Sequence, residues 1–168
     1  MTFTLSSSAV ASLASPPSPI RGRMNIANAP DRPAAASPHR VLQPQGWAEP
    51  IGYANGIEAS GRTIFVGGQI GWNAHCKFES HDLAGQTRQT LQNIIAVLAE
   101  AGAGPEHVTS MTWYVLDRKT YSASLKEIGA AYRATMGRHF PAMAVVQVSG
   151  LIEDEALIEI QATAVVPQ

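Results

Sequence analysis

Leu157 to Val166 reads LIEIQATAVV, and its pattern decides the fold. Side chains of a β-strand alternate between the two faces of a sheet, so two sets separate at once. Ile158, Ile160, Ala162, Ala164 and Val166 make an apolar set that needs something packed over it, namely helices. Leu157, Glu159, Gln161, Thr163 and Val165 make a semi-polar set with a single charge. A freely solvated sheet face normally carries more Lys and Glu. The semi-polar face is therefore expected to be covered by another subunit, the alternative being a wet face that happens to be uncharged.

Working outward, Met143 to Val148 predicts a neighbouring strand, with Met143, Val145, Gln147 and Ser149 on one face. Ser149-Gly150 and the acidic Glu153-Asp154-Glu155 join the two strands. Val108 to Leu116 (VTSMTWYVL) is β-branched and aromatic and predicts another strand, with Met111, Trp113 and Val115 together. Two helices are expected. Asp82 to Ala101 places Leu83, Thr87, Leu91, Ile94, Ile95 and Leu98 on one stripe, and Gly102 suits the left-handed position after it. Tyr121 to Thr135 places Leu125, Ile128, Ala131 and Tyr132 on one side and stops at Gly137. Thr63 to Val66 predicts a strand that Gly67-Gly68 ends or bulges, with a hairpin turn at Gly61-Arg62 before it. His39 to Gln43 is a short edge strand; Pro44 and Pro50 bracket a loop holding Trp47. The order β–β–β–α–β–α–β–β gives an α+β or α/β sandwich with its helices on one sheet face.

Composition divides the chain. Residues 1–40 contain 7 Ser, 6 Pro and 8 Ala and carry 4 Arg against 1 Asp. Residues 41–168 carry 8 Lys+Arg against 12 Asp+Glu, so the net charge of −1 averages a basic segment and an acidic one. Proline fixes φ, and Ser and Ala bury little area, so residues 1–38 are expected to be a disordered extension. A Ser- and Arg-rich transit peptide is the competing reading, supported by Arg21, Arg23 and Arg32, and Met24 is an alternative start. Residues 39–168 make the domain, long enough to bury roughly two thirds of its unfolded surface. Its acidity excludes a nucleic-acid partner, and no apolar run reaches the ~18 residues of a membrane span. The lone Cys76 forms no intramolecular disulfide and suits a reducing, cytoplasmic location.

Few residues carry candidate chemistry. Glu159 stands alone among apolar strand residues, where an ionised carboxylate needs a hydrogen bond or a partner. It is either a partly solvated strand glutamate or a group that holds and activates a water. Tyr53, in Pro50-Ile51-Gly52-Tyr53, either caps the core or offers its hydroxyl to a ligand. Gly67-Gly68-Gln69-Ile70-Gly71-Trp72 matches no phosphate-binding pattern but allows close backbone approach to a ligand. Trp47, Trp72 and Met143 either pack the core or line an apolar pocket. His75, Cys76 and His81 lack the second ligand pair of a metal site, so no metal is expected. His107 and His139 fall near element ends, where solvated or capping roles are usual.

Four segments together resemble the Rid family, also called YjgF or the reactive-intermediate imine deaminases. They are Ile64-Phe65-Val66-Gly67-Gly68-Gln69-Ile70, Gln86-Thr87-Arg88-Gln89-Thr90-Leu91-Gln92-Asn93, His139-Phe140-Pro141-Ala142 and Ile158-Glu159-Ile160-Gln161-Ala162-Thr163-Ala164. The resemblance runs over about residues 41–166. It implies a chorismate-mutase-like α+β fold, with two helices on one face of the sheet. It also implies a homotrimer whose sheets form a central barrel, with ligand clefts between subunits. The implied activity is hydrolysis of imino or enamine acids to oxo acids and ammonia without metal or organic cofactor. Carried over by position, Glu159 matches the water-positioning glutamate and Tyr53 the cleft tyrosine, with Gly-Tyr replacing Pro-Tyr. Met143 stands where the family has its carboxylate-gripping arginine, and Gly67 where it has a serine. A methionine offers no charge to a carboxylate. The expected ligand is therefore a less polar or aromatic metabolite, bound by Tyr53, the Gly67-Gly68-Gln69 backbone, Trp72 and Met143. The expected function is imine or enamine hydrolysis assisted by Glu159, the alternative being a non-catalytic trimeric binder.

Overall fold

The computed structural model describes residues 37–168. The disordered extension expected for residues 1–38, with its transit-peptide and Met24 alternatives, lies outside the described residues apart from its last two positions.

Among the described residues the strands and α-helices follow in chain order: β1 (Arg40–Leu42), β2 (Gly56–Glu58), β3 (Arg62–Ile70), α1 (Leu83–Glu100), β4 (Val108–Val115), α2 (Arg118–Ala123), α3 (Leu125–Met136), β5 (Ala142–Gln147) and β6 (Ile158–Val166). A four-stranded sheet has the order β3-β6-β4-β5, and β1 pairs with β2 in a separate two-stranded sheet. β4 and β5 run parallel, while β6 pairs antiparallel with both β3 and β4. Parallel neighbours need a long crossover, and α2 and α3 supply it.

Three local expectations change. The strand expected beside β6 at Met143 to Val148 forms as β5 but sits at the sheet edge, separated from β6 by β4. The hairpin predicted at Gly61-Arg62 does not form, because β2 pairs with β1 while β3 opens directly against β6, Arg62 opposite Val166. Gly61 still has a steric role: at φ 146° its missing Cβ leaves room for Val166 O, which would lie 2.1 Å away. The helix predicted over Tyr121 to Thr135 is two helices. It begins earlier because Asp117 accepts the Thr120 N–H, and it divides at Ser124, whose φ of −100° and ψ of 10° depart from helical values.

The apolar set of β6 packs as its alternation demands. Ile158, Ile160, Ala162 and Ala164 are buried with Met111, Trp113 and Val115 of β4 and Leu91, Ile94 and Leu98 of α1. Asp82 starts α1 by accepting the Gly85 N–H at 2.8 Å, and that bond, with one from Ser80, holds its carboxyl below the usual range. The other set of β6 faces away from the helices. Glu159 lies opposite Tyr114, and Tyr114 opposite Val146, so these three share the open face. Met111, by contrast, lies opposite Met143 and Ala162 on the helix face. Register alone thus puts Glu159 and Met143 on opposite sides of one sheet.

Candidate functional site

Glycines shape the first part of the site. Val66 pairs with Ala162 and Gln69 with Ile160, so Gly67 and Gly68 together oppose Gln161 in a β-bulge. The double glycine bulges the strand without ending it. A Cβ on Gly68 would lie 1.9 Å from Glu159 Oε1, so the carboxylate rests on the bare backbone of the bulge. At Gly67 the corresponding position meets nothing within 4 Å, so that side of the bulge is open. The Gln69 amide folds back on this bulge and donates to Gly68 O at 3.2 Å. Among the described residues, no hydrogen bond or salt bridge engages the Glu159 carboxylate, which is half-buried and free to hold a water.

A second part lies on the helix face. Between α3 and the β4–β5 pair is a cavity of about 590 Å³. Its floor holds the buried residues Trp113, Ile128 and Tyr132, and its rim the exposed Ile51, Tyr53, Leu125 and Arg133. Met143, Tyr121 and Phe140 complete much of the wall. The rings are organised. Tyr132 and Phe140 stack with centroids 5.5 Å apart, and the Tyr132 hydroxyl is engaged, donating to His139 O at 2.6 Å. Burial pushes the phenols of Tyr121 and Tyr132 above the ordinary range, so both stay neutral. Tyr53 reaches the rim because the Ala54 N–H donates to Pro141 O at 2.9 Å, pinning that segment beside β5.

The expected site residues therefore fall into three places. Tyr53 and Met143 line the cavity; Gly67, Gly68, Gln69 and Glu159 gather at the bulge. Trp72 joins neither, since it packs on Phe78 at 6.2 Å. Trp47 is exposed and also outside the cavity, so the pocket of Trp47, Trp72 and Met143 is not assembled. Among the described residues, no three His, Cys, Asp or Glu side chains converge to hold a metal ion. Cys76 is exposed, in a loop that Asn73 organises by accepting the His75 and Lys77 N–H groups. His139 departs from a solvated role. It is buried, donates from Nε2 to Val108 O at 2.6 Å, and burial lowers its pKa. His107 does cap: its Nδ1 accepts the Gly104 N–H at 2.9 Å.

Sequence reasoning missed most of the cavity wall. Gly129 was the available signal, because a glycine inside a helix costs roughly 1 kcal/mol and marks a place where a side chain would be in the way. The Gln86–Asn93 motif has a structural task. The fully buried Gln86 amide donates to Ser80 O and Glu155 O and accepts the Leu157 N–H at 2.8 Å. Asn93 donates to Ile70 O and Trp72 O. These two amides fasten α1 to the end of β3 and the start of β6, which lie side by side next to the bulge.

A mixed sheet backed by helices on one face, with a glycine bulge under a strand glutamate, defines a YjgF-like α+β domain. The chain belongs to the Rid (YjgF) family: the family model described as Endoribonuclease L-PSP matches residues 48–166. A RutC family protein of Pyrococcus horikoshii is 38% identical over 74% of this chain and 95% of its own. The 2-iminobutanoate/2-iminopropanoate deaminase of Escherichia coli is 33% identical over 67% of this chain and 86% of its own. A solved Rid-family structure from Yersinia pestis, of unknown function, aligns with a TM-score of 0.68 and 34% identity, covering 76% of this chain and 98% of that one.

Proposed function

We propose that the protein hydrolyses an imine or enamine on a ligand lacking a small free α-carboxylate. Water adds to the imine carbon, the carbon–nitrogen bond breaks, and an oxo compound and ammonia leave. Glu159 orients that water, accepts one proton as the carbon–oxygen bond forms and passes it to the nitrogen; the hydroxyl proton of the carbinolamine follows to the nitrogen as the carbon–nitrogen bond breaks. Main-chain N–H groups at Gly67-Gly68 bind the ligand, and neither metal nor organic cofactor takes part. The single observation that carries this reading is the uncommitted Glu159 carboxylate seated on Gly68.

The working unit is a cytoplasmic homotrimer with the site in a cleft between subunits. Phe65 is 80% exposed and Val146 41% exposed on the open sheet face, apolar area that a neighbouring subunit would cover. Within one chain the sheet separates Glu159 from Met143, so a cleft using both needs two subunits.

Ammonia release from freshly generated imines is the test. Glu159→Gln is expected to abolish most of it, and unchanged release in that variant would remove Glu159 from the mechanism. The second reading, a non-catalytic binder, is favoured by Met143 at the arginine position. Saturable thermal stabilisation by a ligand without turnover would support it. The ribonuclease in the family model's description finds no support in the charge of residues 41–168, 8 Lys+Arg against 12 Asp+Glu.

A further inference from the structure

Met143 brings no charge to the cavity it lines, so any charge offered to a ligand comes from elsewhere in the lining. Among the described residues lining it, Arg133 is the only charged side chain. It stands on α3 four residues after Gly129, which also lines the cavity. Helical side chains lean toward the N-terminus, so residue i lies over residue i−4. Here the guanidinium lies close over the bare backbone of Gly129: a Cβ added there would be 3.3 Å from Arg133 Nη1. Among the described residues Arg133 forms no salt bridge, since the two ion pairs join Arg40 to Glu58 and His107 to Glu106.

The rest of the lining is apolar and aromatic, and its depth is graded. The deep residues Trp113, Ile128 and Tyr132 offer hydrocarbon and ring faces, with the Tyr132 hydroxyl already engaged. The rim offers one cation and the Tyr53 ring. A cavity of about 590 Å³ falls within the roughly 300–1,000 Å³ typical of sites that enclose a ligand far larger than a three- or four-carbon acid.

We infer that the cavity binds an aromatic monocarboxylate, its ring among Tyr121, Tyr132 and Phe140 and its carboxylate on Arg133. Arg133 is then a specificity-determining residue: it supplies from α3 the anion contact that Met143 does not supply from β5. The inference deepens the proposed function by naming the substrate class of its cavity half, and it rests on that reading only for the fate of the ligand, not for its binding.

Isothermal titration of the full-length chain at low ionic strength tests it, with 3-phenylpropanoate, 3-phenylpropanamide and propanoate as probes. 3-Phenylpropanoate is expected to bind saturably, and more tightly than either other probe. Arg133→Gln is expected to weaken it by about fivefold to tenfold, as loss of a charge-assisted pair at a half-wet rim should. Arg133→Lys should recover part of the loss, and added salt should erode the difference. Because Arg133 is exposed, its variants should unfold at the wild-type urea midpoint. Equal affinity for amide and carboxylate, unchanged affinity in Arg133→Gln, or no binding of 3-phenylpropanoate would each overturn the inference. Arg133-dependent binding with no ammonia release from any imine would uphold it while removing the proposed activity. Ammonia release without aromatic binding would do the reverse.

Discussion

The two helices that cover the sheet do different work. α1 lies on β3 and β6, and its contact is closed: Leu91, Ile94 and Leu98 have no exposed surface, Asn93 bonds to the end of β3 and Gln86 to the segment leading into β6. α3 packs against α1 and leaves the cavity over β4 and β5. The difference traces to side chains. α1 presents branched apolar residues and amides of fixed reach, whereas α3 presents Gly129 and a half-exposed Leu125 where a sealed interface would carry bulk. One half of the domain is built for stability, and the other leaves room for a ligand.

The largest effect should come from cutting into the closed half. Leu91→Ala removes a fully buried side chain and is expected to cost about 4 kcal/mol, against less than about 1 kcal/mol for Leu125→Ala at the cavity rim. Equilibrium urea unfolding measures both, and similar costs would break the contrast. Gln86→Leu comes next, at roughly 3 kcal/mol, because it strands the part-buried Leu157 N–H and two carbonyls while keeping the volume. A loss near zero would mean that water replaces the amide and that the fastening is incidental. Asp82→Ala, removing the cap of α1, should cost about 1 kcal/mol.

Smallest is a pH effect. Burial favours neutral His139, so its folded pKa lies below its ordinary 6.5. The unfolded chain then binds the extra proton more readily, so the His139 contribution is complete above the unfolded value and is lost as pH falls through the folded one. Urea midpoints taken from about pH 8 down to about pH 5 should decline over this window, and less steeply in His139→Gln. Equal slopes in the two proteins would show that His139 is not the titrating group.

Much of the fold was legible because its elements announce themselves in short windows. The two-residue alternation of β6 identified its buried set, and the stripe on α1 identified the face that packs. The Asp117 start and the Ser124 break were not legible, since capping by one carboxylate competes with an otherwise continuous apolar pattern. Nor was the pairing of β2, which turns on which of two edges is free. Within the site, Glu159 and the double glycine were visible as types out of place, but their contact was not. A bulge that sets Gly68 beneath a carboxylate two strand positions along depends on register between segments about ninety residues apart.

The sequence by itself determined the family and, but for the division of α2 from α3, the order of strands and helices, because these are properties of neighbouring residues and of motif identity. Only the tertiary structure decided that Met143 and Glu159 lie on opposite faces, that Trp72 stays outside the cavity, and that Arg133 reaches its rim. Those facts depend on strand register and on the gap left by one helical glycine. Both are fixed when separated segments pack together, and neither is written in any local stretch of chain.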